Sequence, residues 1–142
     1  MNYLLDTNII IGLLREAPMI VEKYLNLPSD SVKAITVYTL TELFEGINKI
    51  SNSVKKEVQE KILNLLIDNF EKNNHLFALT KTGANEYSKF KIALEQKGNP
   101  IPVIDLLIGT IAIEKNFTLI TTDKSHFQPL KDIIQQFNIE FW

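Results

Sequence analysis

Five short runs of strand-forming residues punctuate the chain: Tyr3-Leu4-Leu5, Ala34-Ile35-Thr36-Val37, Leu76-Phe77-Ala78-Leu79, Thr118-Leu119-Ile120-Thr121 and Ile139-Glu140-Phe141. Longer stretches with apolar residues three and four apart lie between them, which is the helical period. Val54, Val58, Ile62, Leu65 and Leu66 recur in this way, and Lys55, Lys56, Glu57, Glu60 and Lys61 fill other positions, predicting a long amphipathic helix with one wet face. Ile104, Leu107, Ile108, Ile111 and Ala112 repeat the spacing, but Leu106 and Ile113 make this segment apolar nearly all round. It is expected to be a buried central helix beginning after the break at Pro100-Ile101-Pro102. Phe127, Leu130, Ile133, Ile134 and Phe137 predict a shorter helix before the last strand. Strands alternating with helices point to a three-layer α/β/α sandwich, its parallel sheet covered on both faces.

No internal repeat or Pro/Gly/Ser-rich linker divides the 142 residues, so residues 1–142 are read as one domain. The longest apolar stretch near the N-terminus, Ile9 to Leu14, is far shorter than the roughly 20 residues of a membrane span, and Asp6 interrupts any signal-like run. A cytoplasmic protein with no membrane association is the expectation.

Composition narrows the chemistry. The chain has no cysteine, which excludes disulfides, thiolate zinc sites and a cysteine nucleophile. It has only two histidines, far apart, so a multi-histidine zinc site is excluded as well. The net charge of −2 argues against a large basic surface, although a local patch such as Lys55, Lys56 and Lys61 fits inside a near-neutral total. Catalysis, if any, falls to carboxylates.

Four of the 17 acids sit in apolar company: Asp6 after the first strand, Glu42 in Thr39-Leu-Thr-Glu-Leu-Phe44, Asp105 at the head of the buried helix, and Asp123 after the fourth strand. Each has an ordinary explanation taken singly. Asp6, Thr7 or Asn8 can cap the first helix, Glu42 stands three residues after Thr39 as in a capping box, Asp105 can cap the buried helix, and Asp123 can form an Asx turn. Taken together they follow a pattern. In an open parallel sheet, ligands bind outside the carboxyl ends of the strands at the point where strand order reverses, where these four would converge. Carboxylates crowded into a partly apolar pocket must protonate or share a cation, and an all-oxygen set suits Mg²⁺ or Mn²⁺. Thr7, Asn8, Thr121 and Thr122 are placed to orient them. Phosphoryl transfer is the natural chemistry of such a pocket.

Four segments carry a family resemblance: Leu4-Leu-Asp-Thr-Asn-Ile-Ile-Ile11, Ile35-Thr-Val-Tyr-Thr-Leu-Thr-Glu-Leu-Phe-Glu-Gly46, Asp105-Leu-Leu-Ile-Gly-Thr-Ile-Ala112 and Leu119-Ile-Thr-Thr-Asp-Lys-Ser-His-Phe127. In order and spacing the chain resembles the PIN-domain family, and within it the VapC-type toxins of bacterial toxin–antitoxin pairs. The resemblance implies a PIN-like fold, a homodimer or higher toxin–antitoxin assembly, and Mg²⁺-dependent (Mn²⁺ possible) endoribonuclease cleavage of RNA. Asp6 and Asp105 would then be the principal metal ligands, and Glu42 a ligand or the activator of the attacking water. Asp123 would bind a second ion or support the first, with Thr7, Asn8 and Thr121 in support. It implies a small cognate antitoxin whose tail occupies a groove near the site; Ile10, Leu13, Leu14 and Met19 are candidates for that groove, with the core as their competing destination. Glu45, one turn from Glu42, is expected to face solvent. His126 is expected to be a turn residue without a catalytic role, and His75 a surface residue.

Three other readings compete. A haloacid-dehalogenase-type phosphatase with Asp6 as nucleophile would need a second Asp where the chain has Asn8. A housekeeping RNA-maturation nuclease would share the same site. A non-catalytic binding module would be expected to have lost acids that this chain retains.

Overall fold

The structure, a computed structural model, describes residues 1–142. Its elements, in chain order, are β1 (Tyr3–Leu5), α1 (Thr7–Leu14), α2 (Pro18–Leu25), β2 (Lys33–Thr36), α3 (Val37–Asn48), α4 (Ser53–Lys72), β3 (Leu76–Phe77), α5 (Lys81–Gln96), α6 (Val103–Lys115), β4 (Thr118–Thr121), α7 (Lys124–Ile133) and β5 (Ile139–Phe141). The five strands pair in the order β3-β2-β1-β4-β5, and every pairing is parallel. The expected three-layer α/β/α sandwich is the observed one. The chain moves outward from β1 to β2 and β3, then crosses to the other side of β1 for β4 and β5. The reversal of strand order therefore lies between β1 and β4.

Alternation along the strands divides the apolar residues between two cores. Leu4 and Leu119 join Phe90, Leu106, Ile111 and Phe127 on one face. Tyr3, Leu5 and Ile120 join Ile9, Leu43, Leu63 and Phe70 on the other. Helix α6, with Leu106, Ile108, Ile111 and Ala112 at 2% exposure or less, is the buried helix that the sequence predicts. It ends at Asn116, whose left-handed backbone (φ 55°) stops the helix two residues before β4.

Three expectations need correction. Helix α4 exists, but the face turned to the core carries Leu63, Ile67 and Phe70, whereas Val54, Val58, Ile62 and Leu65 lie in solvent. Helices α2 and α5 have no counterpart in the predicted elements. Helix α7 stops at Ile133, so Phe137 is buried from the connection to β5 rather than from the helix.

Gly109 lets α6 and α7 approach closely, because a Cβ there would stand 2.6 Å from Leu130 Cδ2 in a fully buried layer. Gly109→Ala should gain about 1 kcal/mol of helix propensity and lose about 1–3 kcal/mol to overpacking. The expected net result is a loss of about 1 kcal/mol, read as a lower urea midpoint with an unchanged slope.

Candidate active site

The β1–β4 boundary assembles the site. Asp6 directly follows β1, is only 3% exposed, and donates its backbone N–H to Ile120 O of β4 at 3.0 Å. It also caps α1, since its Oδ1 accepts from the Thr7 N–H at 2.8 Å. Its other oxygen, Oδ2, accepts from the Thr121 hydroxyl at 2.6 Å. Thr121 is fully buried at the end of β4, and its oxygen accepts in turn from Asn8 Nδ2 at 3.2 Å and from the Asp123 N–H at 3.0 Å. Asn8 Oδ1 accepts from the Thr122 N–H at 3.2 Å, so Thr121 and Asn8 together tie the end of β4 to the start of α1.

The other acids come from the neighbouring helices. Glu42, half-buried on α3, accepts through Oε2 from the Thr7 hydroxyl. Asp105 lies in the first turn of α6, and Asp123 caps α7 by accepting from the His126 N–H at 3.1 Å. His126 Nδ1 stands between these last two carboxylates, 2.7 Å from Asp105 Oδ2 and 2.9 Å from Asp123 Oδ2. Sequence reasoning missed this contact. The only signal for it was the three-residue spacing of Asp123 and His126, which by itself reads as a turn.

Two capping expectations also change. Thr36, not Thr39, caps α3, with its hydroxyl accepting from the Thr39 N–H at 3.0 Å, so Glu42 points to Thr7 rather than back along its own helix. Pro102 precedes α6 as its cap residue, which places Asp105 inside the helix. Asp6 and Asp123 do cap their helices, and they also face the cluster. Glu45 is exposed and paired with Lys49 at 2.7 Å, and the hydrogen bond from Lys49 holds its pKa below the ordinary carboxylate value.

Charge is poorly compensated here. Burial pushes the Asp6 carboxyl up from 3.8 to about 6 despite the Thr121 and Thr7 hydrogen bonds, and the nearby Asp105 and Glu42 add to the rise. Asp105 is also raised, chiefly by burial, against the downward pull of His126 and with further upward pushes from Glu42 and Asp123. No Lys or Arg forms an ion pair with any of the four; the lysine pairs all lie elsewhere, on Glu45, Glu57, Glu86 and Glu95. A set of acids in which Asp6 and Asp105 are both pushed up, with no lysine or arginine paired to any member, fits a hard divalent cation. As arranged, no three acidic or imidazole side chains form a ready ion-binding group. His126 engages Asp105 and Asp123 through Oδ2 of each.

Thr121 holds Asp6 without being an acid itself. Thr121→Val should leave the fold intact and reduce metal affinity or activity by roughly 10–100-fold, as loss of a ligand's supporting partner does. A metal titration of the variant followed by its melting temperature checks this.

Beside Glu42, a groove of about 430 Å³ runs between α1, α3 and α4, with Ile11, Leu14, Ile47 and Leu63 among its apolar walls and Arg15 and Lys55 as its cations. Of the four groove candidates named from sequence, Leu14 lines it, Ile10 is buried in the core, Leu13 packs against the core, and Met19 is exposed on α2. No helix is long and apolar enough to cross a membrane.

The chain is similar in sequence and fold to known proteins. The PIN domain model matches residues 3–131. Ribonuclease VapC2 of Rickettsia felis is 31% identical over 138 residues, covering 94% of this chain and 96% of that protein. Ribonuclease VapC1 of Haemophilus influenzae is 32% identical over 135 residues, covering 94% and 95%. Among solved structures, VapBC-1 from nontypeable Haemophilus influenzae superposes with a TM-score of 0.80 at 29% identity, covering 100% of this chain and 98% of that one.

Proposed function

The chain belongs to the PIN-domain family, and from that premise we propose that it is a divalent-metal-dependent endoribonuclease, the toxin of a toxin–antitoxin pair. The observation that carries this reading is the buried Asp6 carboxylate at the β1–β4 reversal, its charge opposed by Asp105 and Glu42 and matched by no lysine or arginine. Relatives named Ribonuclease VapC favour the toxin role over a housekeeping nuclease, and the retained acids favour an enzyme over a binding module.

In this reading Asp6 and Asp105 hold Mg²⁺ or Mn²⁺, with Asp123 a further ligand or support. Bound there, a divalent ion neutralises phosphate oxygens and lowers the pKa of a coordinated water. The protein supplies the positioning. Thr121 and the Thr7 N–H fix the two oxygens of Asp6, so they point where the helix and strand ends place them. Thr7 holds Glu42 by Oε2, which leaves Oε1 to accept a proton from the water attacking the phosphodiester. Asn8 bonds Thr121 and Thr122 and so ties the start of α1 to the end of β4.

The cognate antitoxin is assigned to the groove beside Glu42. Its aliphatic walls suit apolar side chains of a peptide, and a basic residue at the inner end would meet Glu42. The protein works in the cytoplasm, where its RNA substrate is, with residues 1–142 as a single PIN-like domain. The test is to incubate the purified chain with structured RNAs in Mg²⁺, Mn²⁺ or EDTA and map the new RNA ends. Cleavage that requires the ion and disappears in Asp105→Asn is expected; cleavage that survives EDTA overturns the reading.

A further inference from the structure

The edge strand β5 runs into two aromatic residues, Phe141 and Trp142, beside the acidic site. The Trp142 N–H donates to Thr121 O at 2.9 Å, and Thr121 is the residue whose hydroxyl holds Asp6. Consecutive residues along a strand point to opposite faces of the sheet. Phe141 accordingly packs against the core that contains Phe127, and Trp142 against the core that contains Ile120.

Each ring carries a lysine. Lys23 of α2 places its Nζ 5.9 Å from the centre of the Trp142 ring, and Lys124, the residue after Asp123, places its Nζ 5.9 Å from the centre of the Phe141 ring. The ion pairs of the chain use Lys49, Lys61, Lys89, Lys91 and His126, so both of these ammonium groups are without a carboxylate partner. A cation–π contact at the surface is weak and positions an ammonium without neutralising it. Next to Lys23 an open cleft of about 440 Å³ is lined by Asn26, Leu27, Glu140, Phe141 and Trp142. The acid among them, Glu140, accepts from the indole N–H of Trp142 at 3.3 Å and so orients that ring.

The occupant follows from this chemistry. Unneutralised cations set against aromatic rings are the surface that binds single-stranded nucleic acid, phosphates meeting the cations and bases the rings. The two lysines rest on rings that point to opposite faces of the sheet, so an extended polyanion, rather than one small anion, meets both. The surface is also continuous with the acidic site through Thr121 and through the Asp123–Lys124 peptide.

We propose that Lys23 and Lys124, held in place by Trp142 and Phe141, form a subsite for the RNA strand adjoining the point of cleavage, each lysine taking one backbone phosphate. The subsite rests on the nuclease reading, which supplies the RNA. It shares no residue with the groove beside Glu42.

Fluorescence anisotropy of a labelled single-stranded oligoribonucleotide of mixed sequence, at low salt in EDTA, reads binding apart from ion-dependent cleavage. Lys23→Gln and Lys124→Gln should each weaken binding roughly tenfold, as loss of a hydrogen bond to a charged group does. Neither should change the melting temperature, since neither ammonium is in an ion pair. A plot of log affinity against log salt should lose about 0.7 in slope for each lysine removed. Lys23→Arg and Lys124→Arg should retain wild-type affinity and slope. Trp142→Leu keeps both cations and should weaken binding with the slope unchanged. Lys115, whose Nζ lies 5.3 Å from the centre of the Phe77 ring, precedes β4 where Lys124 follows it, and Lys115→Gln should bind RNA as the wild type does. A wild-type chain that does not bind the oligoribonucleotide overturns the subsite, as does a Lys23→Gln, Lys124→Gln double variant with wild-type affinity, which would assign the lysines to another anionic partner. Equal weakening by Lys115→Gln would replace the subsite with diffuse attraction. Lysine-dependent binding by a chain that cuts no RNA in Mg²⁺ or Mn²⁺ would remove the nuclease reading alone.

Discussion

In metal-free buffer at pH 7, Asp6→Asn is expected to melt a few degrees above the wild-type chain, and with Mg²⁺ or Mn²⁺ added it should lack the RNA cleavage proposed for the wild type. The gain comes from removing a buried charge. With its pKa moved from 3.8 to about 6, Asp6 penalises the folded state at neutral pH by about 3 kcal/mol, at roughly 1.4 kcal/mol per unit. Part of this is lost in the variant. The Thr121 oxygen already accepts from Asn8 and Asp123, so the new amide N–H₂ would face a hydroxyl with no free lone pair and forfeit about 1–2 kcal/mol. A net stabilisation of about 1–2 kcal/mol remains. Activity should fall by more than the roughly 10–100-fold expected for a mere supporting residue, because an amide cannot hold a divalent ion as a carboxylate does. Thermal melts and cleavage assays on the same preparation check both halves. A variant that is less stable and still active would place the buried charge elsewhere.

The pH dependence follows with a definite sign. The folded pKa of Asp6 lies above its unfolded value, so the folded state binds the proton more tightly. Its contribution to stability is fully present below about pH 3.8, declines as pH rises, and is gone above about pH 6. Asp105 shifts in the same direction and adds to the trend. Subtracting the unfolding free energy of Asp6→Asn from that of the wild type isolates this decline from the titration of other acids, and the difference should change between about pH 4 and 6.

A divalent ion should reverse that decline. At pH 7, where the carboxylates are charged, Mn²⁺ or Mg²⁺ at a hundred times its dissociation constant should stabilise the wild type by about 2.7 kcal/mol. Near pH 4 the same concentration should do almost nothing, because protons occupy the ligands. Differential scanning fluorimetry across pH, with and without the ion, reads the effect. Equal stabilisation of Asp6→Asn would remove Asp6 from the ligand set.

Much of the site was legible before the fold. Asp6 and Asp123 end apolar runs and stand just before helices, and such a carboxylate is conspicuous in sequence because the strand before it has no other reason to stop in an acid. Glu42 and Asp105 stand out by their apolar neighbours, Leu40, Leu43 and Phe44 for the one and Ile104, Leu106 and Leu107 for the other. The details that tune them were hidden. Thr36 and Thr39 are equally good caps by composition, and only the backbone turn at the end of β2 selects Thr36, which frees Glu42 for Thr7. His126 reads as a turn residue because its partner Asp105 lies 21 positions away in sequence and is brought beside it only by the packing of α7 on α6.

The sequence by itself determined the parallel α/β order, the buried helix α6, the acids Asp6 and Asp123 at strand ends and the acids Glu42 and Asp105 within apolar helical stretches, because these depend on local periodicity and on which residue types can end a strand. The tertiary structure alone decided which side of α4 is buried. Period 3.6 records that a helix has an apolar stripe, but α4 has two, and only the position of the sheet beneath it assigns Leu63, Ile67 and Phe70 to the core and leaves the other stripe in water. The same holds for charge: the chain states how many acids it has, but desolvation and proximity, which set the pKa of Asp6, exist only once distant segments are packed together.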